Sequence, residues 1–296
     1  MRIGIDLGGT KTELVVLDEF GAVRMRDRRP TPGGDYLATV TQIAAMVRDA
    51  EIAVNVRCSV GVGTPGSISP RDGLMRNANS TCLNRRALKQ DLESALAREV
   101  RLANDANCFT LSEAVDGAGS GAQVVFGVIL GTGVGGGIAI AGRVLAGANG
   151  VAGEWGHNPL PGAGNGDGQA QPCYCGRTGC IETWLFGPAL TADHVRHGGA
   201  HMSAADIAEA AMAGNTDCVA SLQRYEERLA RALAGVINLL DPDVIVLGGG
   251  LSRLERLYRT VPELWRPHVF SDSIVTRLLP PVHGDASGVR GAAWLW

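Results

Sequence analysis

Nothing in these 296 residues approaches the roughly 18 consecutive apolar positions that a membrane helix needs. No run of basic residues is long enough to neutralise a row of phosphates. Neither a membrane nor a nucleic acid is therefore expected as a partner. The first residues also lack the basic, apolar and small-residue regions of a signal peptide, which leads to the expectation of a cytoplasmic protein. Neither sign of charge dominates, since 27 Lys plus Arg stand against 30 Asp plus Glu for a net charge of -3. Four of the seven cysteines (Cys58, Cys82, Cys108, Cys218) follow no spacing pattern, as reduced thiols would. With 45 % hydrophobic and 19 % charged residues, the chain has the balance of a folded domain pair rather than of a disordered one.

What the sequence has in abundance is glycine, 41 residues of it, much of it in turns that follow apolar runs. Residues 2–7 and 12–18 read as strands joined by Gly8-Gly9-Thr10-Lys11, and residues 123–130 and 137–141 repeat that plan around Gly131-Thr132-Gly133-Val134-Gly135-Gly136. Helices are expected over 35–50, 88–99, 106–117 and from Val219 to Leu240, where Asp241-Pro242 stops the last of them. Further strands are expected at 59–63, 101–103 and 244–247, the last running into Gly248-Gly249-Gly250. The echo of strand, glycine turn and strand predicts a duplicated α/β fold with mixed sheets and one phosphate-binding hairpin in each half. The glycine-rich stretch 162–171 is expected to be a mobile surface loop.

Glycine at such turns lets backbone N–H groups approach an anion, and Thr10, Thr12 and Thr132 add hydroxyl donors. Residues 131–136 fit G-x-G-x-x-G, but a strand follows where the dinucleotide fingerprint requires a helix, and no Gly-Lys-Ser/Thr completes a P-loop. Asp105 falls where a strand end meets a helix start, a position equally suited to a helix cap and to a general base. Asp6, at the end of the first strand, is either a turn aspartate or a partner of Mg²⁺. Cys173, Cys175 and Cys180 with His157 offer three thiolates and an imidazole, a set suited to tetrahedral structural zinc.

The segments Asp6-Leu7-Gly8-Gly9-Thr10-Lys11-Thr12, Asn104-Asp105-Ala106-Asn107, Gly131-Thr132-Gly133, Gly153-Glu154-Trp155-Gly156-His157 and Cys173-Tyr174-Cys175-Gly176 with Gly179-Cys180-Ile181-Glu182 resemble the ROK family of sugar kinases and repressors. The resemblance covers essentially the whole chain. It implies the actin-like, RNase H-like ATPase duplication, with two domains around a cleft where Mg-ATP and a hexose meet. Residues 1–117 with a C-terminal helix at 287–296 would form the smaller domain, and 118–286, carrying the zinc loop, the larger. Asp105 would be the catalytic base. Gly66, Asn79, Asn104, Glu154, His157 and Glu182 would bind the sugar. Asp6 would hold Mg²⁺ through water. Gly8, Gly9, Thr10, Lys11, Thr12, Gly131, Thr132, Gly133, Gly135, Gly136, Gly248, Gly249 and Gly250 would serve ATP.

Within the family, Asn77-Ala78-Asn79-Ser80-Thr81, His157-Asn158-Pro159-Leu160-Pro161 and Gly288-Val289-Arg290-Gly291-Ala292-Ala293-Trp294-Leu295-Trp296 are most similar to bacterial fructokinases. The expected reaction is thus 6-phosphorylation of D-fructose, with mannose or glucose tolerated. A glucokinase or an N-acetylhexosamine kinase is the alternative, and a homodimer is the expected assembly. The family's repressors carry a helix-turn-helix ahead of this first strand, which here begins at Ile3, so a sensor is disfavoured. The sequence departs from the family in its long spacer, fifteen residues between His157 and Cys173, and in Pro172 where glycine is common.

Overall fold

The computed structural model describes residues 1–296, Asn165 by its backbone alone. In chain order the strands are β1 Arg2–Leu7, β2 Lys11–Leu17, β3 Val23–Pro30, β4 Ser59–Thr64, β5 Ser67–Ile68, β6 Met75–Arg76, β7 Val100–Asn104, β8 Val124–Leu130, β9 Val134–Ile140, β10 Arg143–Val144, β11 Val244–Gly248 and β12 Arg277–Leu279. The helices are α1 Tyr36–Val54, α2 Leu88–Leu96, α3 Asp105–Val115, α4 Glu182–Leu185, α5 Gly187–Arg196, α6 Ala204–Met212, α7 Thr216–Leu240, α8 Leu257–Leu264 and α9 Ser287–Ala293. None of them, among the described residues, is long and apolar enough to cross a membrane. The chain divides into two compact units. One comprises Met1–Gly121, Gly137–Ala152 and Val282–Trp296; the other comprises Ala122–Gly136 and Gly153–Pro281.

The first unit is built on a five-stranded sheet of order β3-β2-β1-β4-β7. β1 and β2 form the expected hairpin, while β4 and β7 run parallel to β1. Ile3, Ile5, Leu14, Val16, Val60 and Val62 are fully buried, each worth roughly 1.5–3 kcal/mol against exposure. α1 starts at Asp35, whose carboxylate accepts the Ala38 N–H at 3.0 Å, and ends where Asn55 turns left-handed. α2 stops at Leu96, short of the expected Glu99, because Ala97 adopts φ 50° and closes the helix. β3 was not expected, since its charged sequence offers no apolar run. It forms because Glu13, only 5 % exposed on β2, needs cations, and Arg26 and Arg28 supply them across the ladder.

The second sheet has the order β10-β9-β8-β11-β12, in which β11 runs parallel to β8 and β12. β9 carries the chain out of the second unit, Gly137 onward being counted with the first. α7 is longer than expected at its start, where Asn215 caps it by accepting the Cys218 N–H at 3.0 Å. One expectation is overturned here. The glycine-rich stretch 162–171 is pinned rather than mobile, because Arg228 and Arg231 of α7 both hold Asp167. Glycine content predicts chain entropy, but two arginines converging from a distant helix lie outside any local reading.

Candidate active site and metal centre

In the first unit the three parallel strands β1, β4 and β7 end together, and their carboxyl ends carry Asp6, Thr64-Pro65-Gly66 and Asn104-Asp105 respectively. The register places Asp6 opposite Gly63 and Thr64 opposite Asn104. The C-terminal edge of parallel strands is where α/β sheets present ligand-binding groups. Asn104 caps α3, its Oδ1 accepting the N–H groups of Ala106 at 2.8 Å and Asn107 at 3.2 Å. That cap sets Asp105 as the first residue of the helix, where the macrodipole favours an anion.

Part of Asp105 is open to solvent, yet the protein crowded around its carboxylate desolvates it and raises its pKa above the ordinary value. The Ala106 N–H, at 2.8 Å from Oδ1, and Asn104 pull in the opposite direction. Asp6 is pushed up to about 6, first by desolvation and then by the charges of Asp105 and Glu13, with Lys11 opposing. The two carboxylates thus share one electrostatic neighbourhood, a place where a divalent cation would be strongly favoured. Gly288 of α9 backs Asp6: a Cβ there would stand 3.5 Å from Oδ2.

Turns join this edge. Gly66 has φ 75°, and a Cβ on it would meet the backbone of Arg76 and Ala78 at 2.3–2.9 Å. Only glycine admits that approach. Asn84, which sequence reasoning missed, clamps the next segment from both sides. It accepts the Ala78 N–H and donates to the Ala78 carbonyl, both at 2.9 Å, leaving exposed Asn79 at the tip. The β1–β2 turn closes through the Gly8 N–H donating to the Lys11 carbonyl at 3.0 Å, with Gly9, Thr10 and Lys11 exposed. Thr12, expected at the nucleotide, instead points inward. It is 1 % exposed, and its hydroxyl lies 2.8 Å from that of Thr31, which itself donates to the Gly8 carbonyl. Thr12 therefore holds the turn.

In the second unit the turn Gly131-Thr132-Gly133 follows β8, and Gly249-Gly250 follows β11, brought alongside by the pairing of Gly248 with Ile129. Gly249, at φ 80°, would place a Cβ 2.4 Å from the Leu130 carbonyl oxygen. Thr132, Gly249 and Gly250 are exposed, whereas Gly248 is buried in its strand. Gly136 has a packing reason to be glycine. The Trp155 indole donates to the Gly135 carbonyl at 3.0 Å and leaves no room for a side chain at 136. Glu182, expected to touch sugar, is buried. Its Oε2 accepts the Val134 N–H at 3.1 Å and its Oε1 lies 3.8 Å from the Cys173 sulfur. Glu154 lies exposed just before the short 3-10 turn Trp155–His157.

That 3-10 turn delivers His157 to the cysteines. The ligand atoms of His157, Cys173, Cys175 and Cys180 all lie within 4.8 Å of one another. Zinc bound at roughly 2.3 Å to sulfur and 2.0–2.1 Å to nitrogen has tetrahedral edges of about 3.8 Å between sulfurs and about 3.5 Å between sulfur and nitrogen. The separations are 3.6 Å from Cys175 to Cys180 and 3.5 Å from Cys173 Sγ to His157 Nδ1. The four donors therefore fit zinc in size and in chemistry. The other ring nitrogen of His157 is 2.9 Å from the Tyr174 hydroxyl, which fixes the ring orientation from outside the donor set. Tyr174 was visible between the cysteines but carried no sequence signal for this role.

The ROK family model matches residues 2–296. The N-acetyl-D-glucosamine kinase of Photobacterium profundum is 39 % identical over 299 residues, covering 100 % of this chain and 99 % of that protein. The N-acetyl-D-glucosamine kinase of Erwinia tasmaniensis is 40 % identical over 300 residues, with 100 % and 99 % covered. Among solved structures, the ROK hexokinase from Thermus thermophilus has a TM-score of 0.87 at 30 % identity, covering 99 % of this chain and 97 % of that one. A ROK family glucokinase from Streptomyces griseus, in complex with glucose and AMPPNP, has a TM-score of 0.76 at 28 % identity with the same coverage.

Proposed function

This chain belongs to the ROK family, and from that membership we propose that it is a kinase transferring the γ-phosphoryl group of Mg-ATP to the 6-hydroxyl of a hexose. The observation that carries the reading is the edge at which β1, β4 and β7 end with Asp6, Gly66 and Asn104-Asp105 side by side. Phosphoryl transfer requires little of the protein beyond a proton acceptor, a cation and precise positioning. Asp105 is the acceptor for the hydroxyl proton. Asp6 orients the hydrated Mg²⁺. Backbone N–H groups of the turns at Gly9–Thr10, Thr132–Gly133 and Gly249–Gly250 hold phosphate oxygens. Gly66, Asn79, Asn104 and Glu154 bind the sugar hydroxyls.

Two acceptors have specific support. The relatives near 40 % identity, named N-acetyl-D-glucosamine kinase, favour N-acetyl-D-glucosamine over the fructose expected from sequence. The fructokinase-like segments at 77–81, 157–161 and 288–296 favour D-fructose as the second reading. Release of ADP from Mg-ATP across N-acetyl-D-glucosamine, fructose, mannose, glucose and N-acetylmannosamine separates them. The expected result is kcat/KM for one of the first two at least about tenfold above the rest, a gap of roughly 1.4 kcal/mol in transition-state binding. No turnover with any sugar overturns the kinase reading.

The metal centre is read as structural zinc, closed by four protein ligands and so without a catalytic position. By fixing the Glu154–His157 turn it would hold a sugar-binding carboxylate in place. Cys175→Ser is expected to lose stoichiometric zinc and to raise the sugar KM while leaving the ATP KM much less affected. Elemental analysis showing full occupancy in that variant would remove Cys175 from the ligand set.

A further inference from the structure

We propose that Asp167, held by Arg228 and Arg231, is a latch that keeps the zinc donor set assembled and slows loss of the metal. The inference rests on the zinc reading above. Its starting point is how the donors reach the site: His157 arrives on the chain segment before the glycine-rich loop, and the three cysteines arrive after it. Fifteen residues lie between His157 and Cys173, with Gly162, Gly164, Gly166 and Gly168 among them. A free segment of that length and composition would allow the two arms to part at little cost, since the freedom gained grows with the length of the unrestrained loop. Asp167 divides it.

The anchoring is dense. Asp167 Oδ1 accepts Arg228 Nε at 3.2 Å and also a guanidinium nitrogen of Arg231. Its backbone carbonyl accepts a further Arg228 nitrogen at 2.9 Å, and its Oδ2 accepts the Gly164 N–H at 3.0 Å. Arg231 adds the carbonyls of Pro161 at 3.2 Å and Gly162 at 2.8 Å. Exposed ion pairs of this kind contribute little, but the Arg228 side chain is only 3 % exposed and that of Asp167 13 %. Arg228 is committed here by its other partners, Asp193 of α5 at 2.9 Å and the face of Trp184 at 5.2 Å.

Those partners lead to the cysteines. The Trp184 indole donates to the Gly179 carbonyl at 3.3 Å, and the Gly179 N–H donates to the Gln171 carbonyl at 2.9 Å. Isolated bridges pair Pro172 with Thr178 and Pro159 with Cys180. One arginine therefore fixes both the exit of the loop and the strand-like segment that both donor arms pair with. Asp167 touches no metal ligand, and its role is that of a positioning residue.

The test uses the zinc-loaded protein and an excess of a chromogenic chelator. Asp167→Asn is expected to release zinc about tenfold faster than the parent chain, the lower end of what partners outside the donor set contribute to metal retention. Arg231→Gln, a milder change on the same carboxylate, is expected to accelerate release by a smaller factor and serves if the first variant does not fold. The Tm of the zinc-loaded Asp167→Asn protein is expected to fall by more than that of the chelator-stripped protein, relative to the parent chain in the same state. Release at the parent rate in both variants overturns the latch, as does an equal fall in Tm with and without zinc, which marks ordinary packing. A parent chain that carries no stoichiometric zinc overturns the metal reading itself, and the latch with it.

Discussion

Asp105→Asn is expected to lower kcat by a factor on the order of 10² to 10⁴, the range a positioned general base contributes, with the KM values for sugar and ATP changed far less. The substitution is nearly isosteric and keeps an oxygen that can accept the Ala106 N–H, so the start of α3 and its Asn104 cap are preserved. Thermal unfolding should therefore stay close to that of the parent chain. What is lost is the capacity to accept a proton, and with it the charge that, after desolvation, contributes most to the raised pKa of Asp6. Removing that charge should make Asp6 easier to ionise, so Mg-ATP binding should hold or improve as kcat falls. Steady-state kinetics on the preferred sugar, with unfolding followed in parallel, checks both. Retention of more than about a tenth of the parent kcat would reduce Asp105 to a helix cap, the other role its position allows.

The sequence made the strands and the two glycine hairpins legible because apolar runs bounded by glycine are local signals. β1, β8 and β11 fall within a residue of their expected limits. The nonlocal features were hidden. β3 carries almost no apolar pattern and exists through the Arg26 and Arg28 pairings with Glu13. α5, α6 and α8 lie in stretches where no periodic run was strong enough to assign. At the site, Asp6, Gly66 and Asp105 could be picked out one at a time, but that three strands bring them to one edge is a statement about register. The resemblance also named Thr12 and Glu182 as ligand contacts. In the structure the Thr12 hydroxyl meets that of Thr31, and Glu182 accepts the Val134 N–H. Asn84 and Thr31 had no sequence signature, since a clamp on backbone atoms can be built from any polar side chain that the fold brings close.

The second large effect belongs to the C-terminal helix. Gly291→Ala is expected to destabilise the protein by at least about 3 kcal/mol, the upper end for overpacked cores, and to reduce kinase activity with it. A Cβ at Gly291 would stand 1.6 Å from the Cys108 carbonyl oxygen of α3, and α9 lies nearly as close to the sheet. A Cβ at Gly61 on β4 would meet the Ala292 carbonyl oxygen at 1.9 Å, and one at Gly4 on β1 would meet that of Val289 at 2.1 Å. These obstacles are backbone atoms, so no rotamer change relieves them and the helix itself must move. Glu113 of α3 resists that movement, accepting the Ser287 hydroxyl at 2.7 Å and the Val282 N–H at 3.0 Å. Displacing α9 also shifts Gly288 away from Asp6, so whatever folded protein survives should show a raised KM for Mg-ATP before any change in sugar KM. Gly33→Ala is the control, for a Cβ there meets nothing within 4 Å. Denaturant unfolding of the two variants should separate them by at least about 3 kcal/mol, a large fraction of the 5–15 kcal/mol that holds a typical domain folded. Equal midpoints would mean that α9 has room to move, and that its contact with Asp6 is incidental to the site.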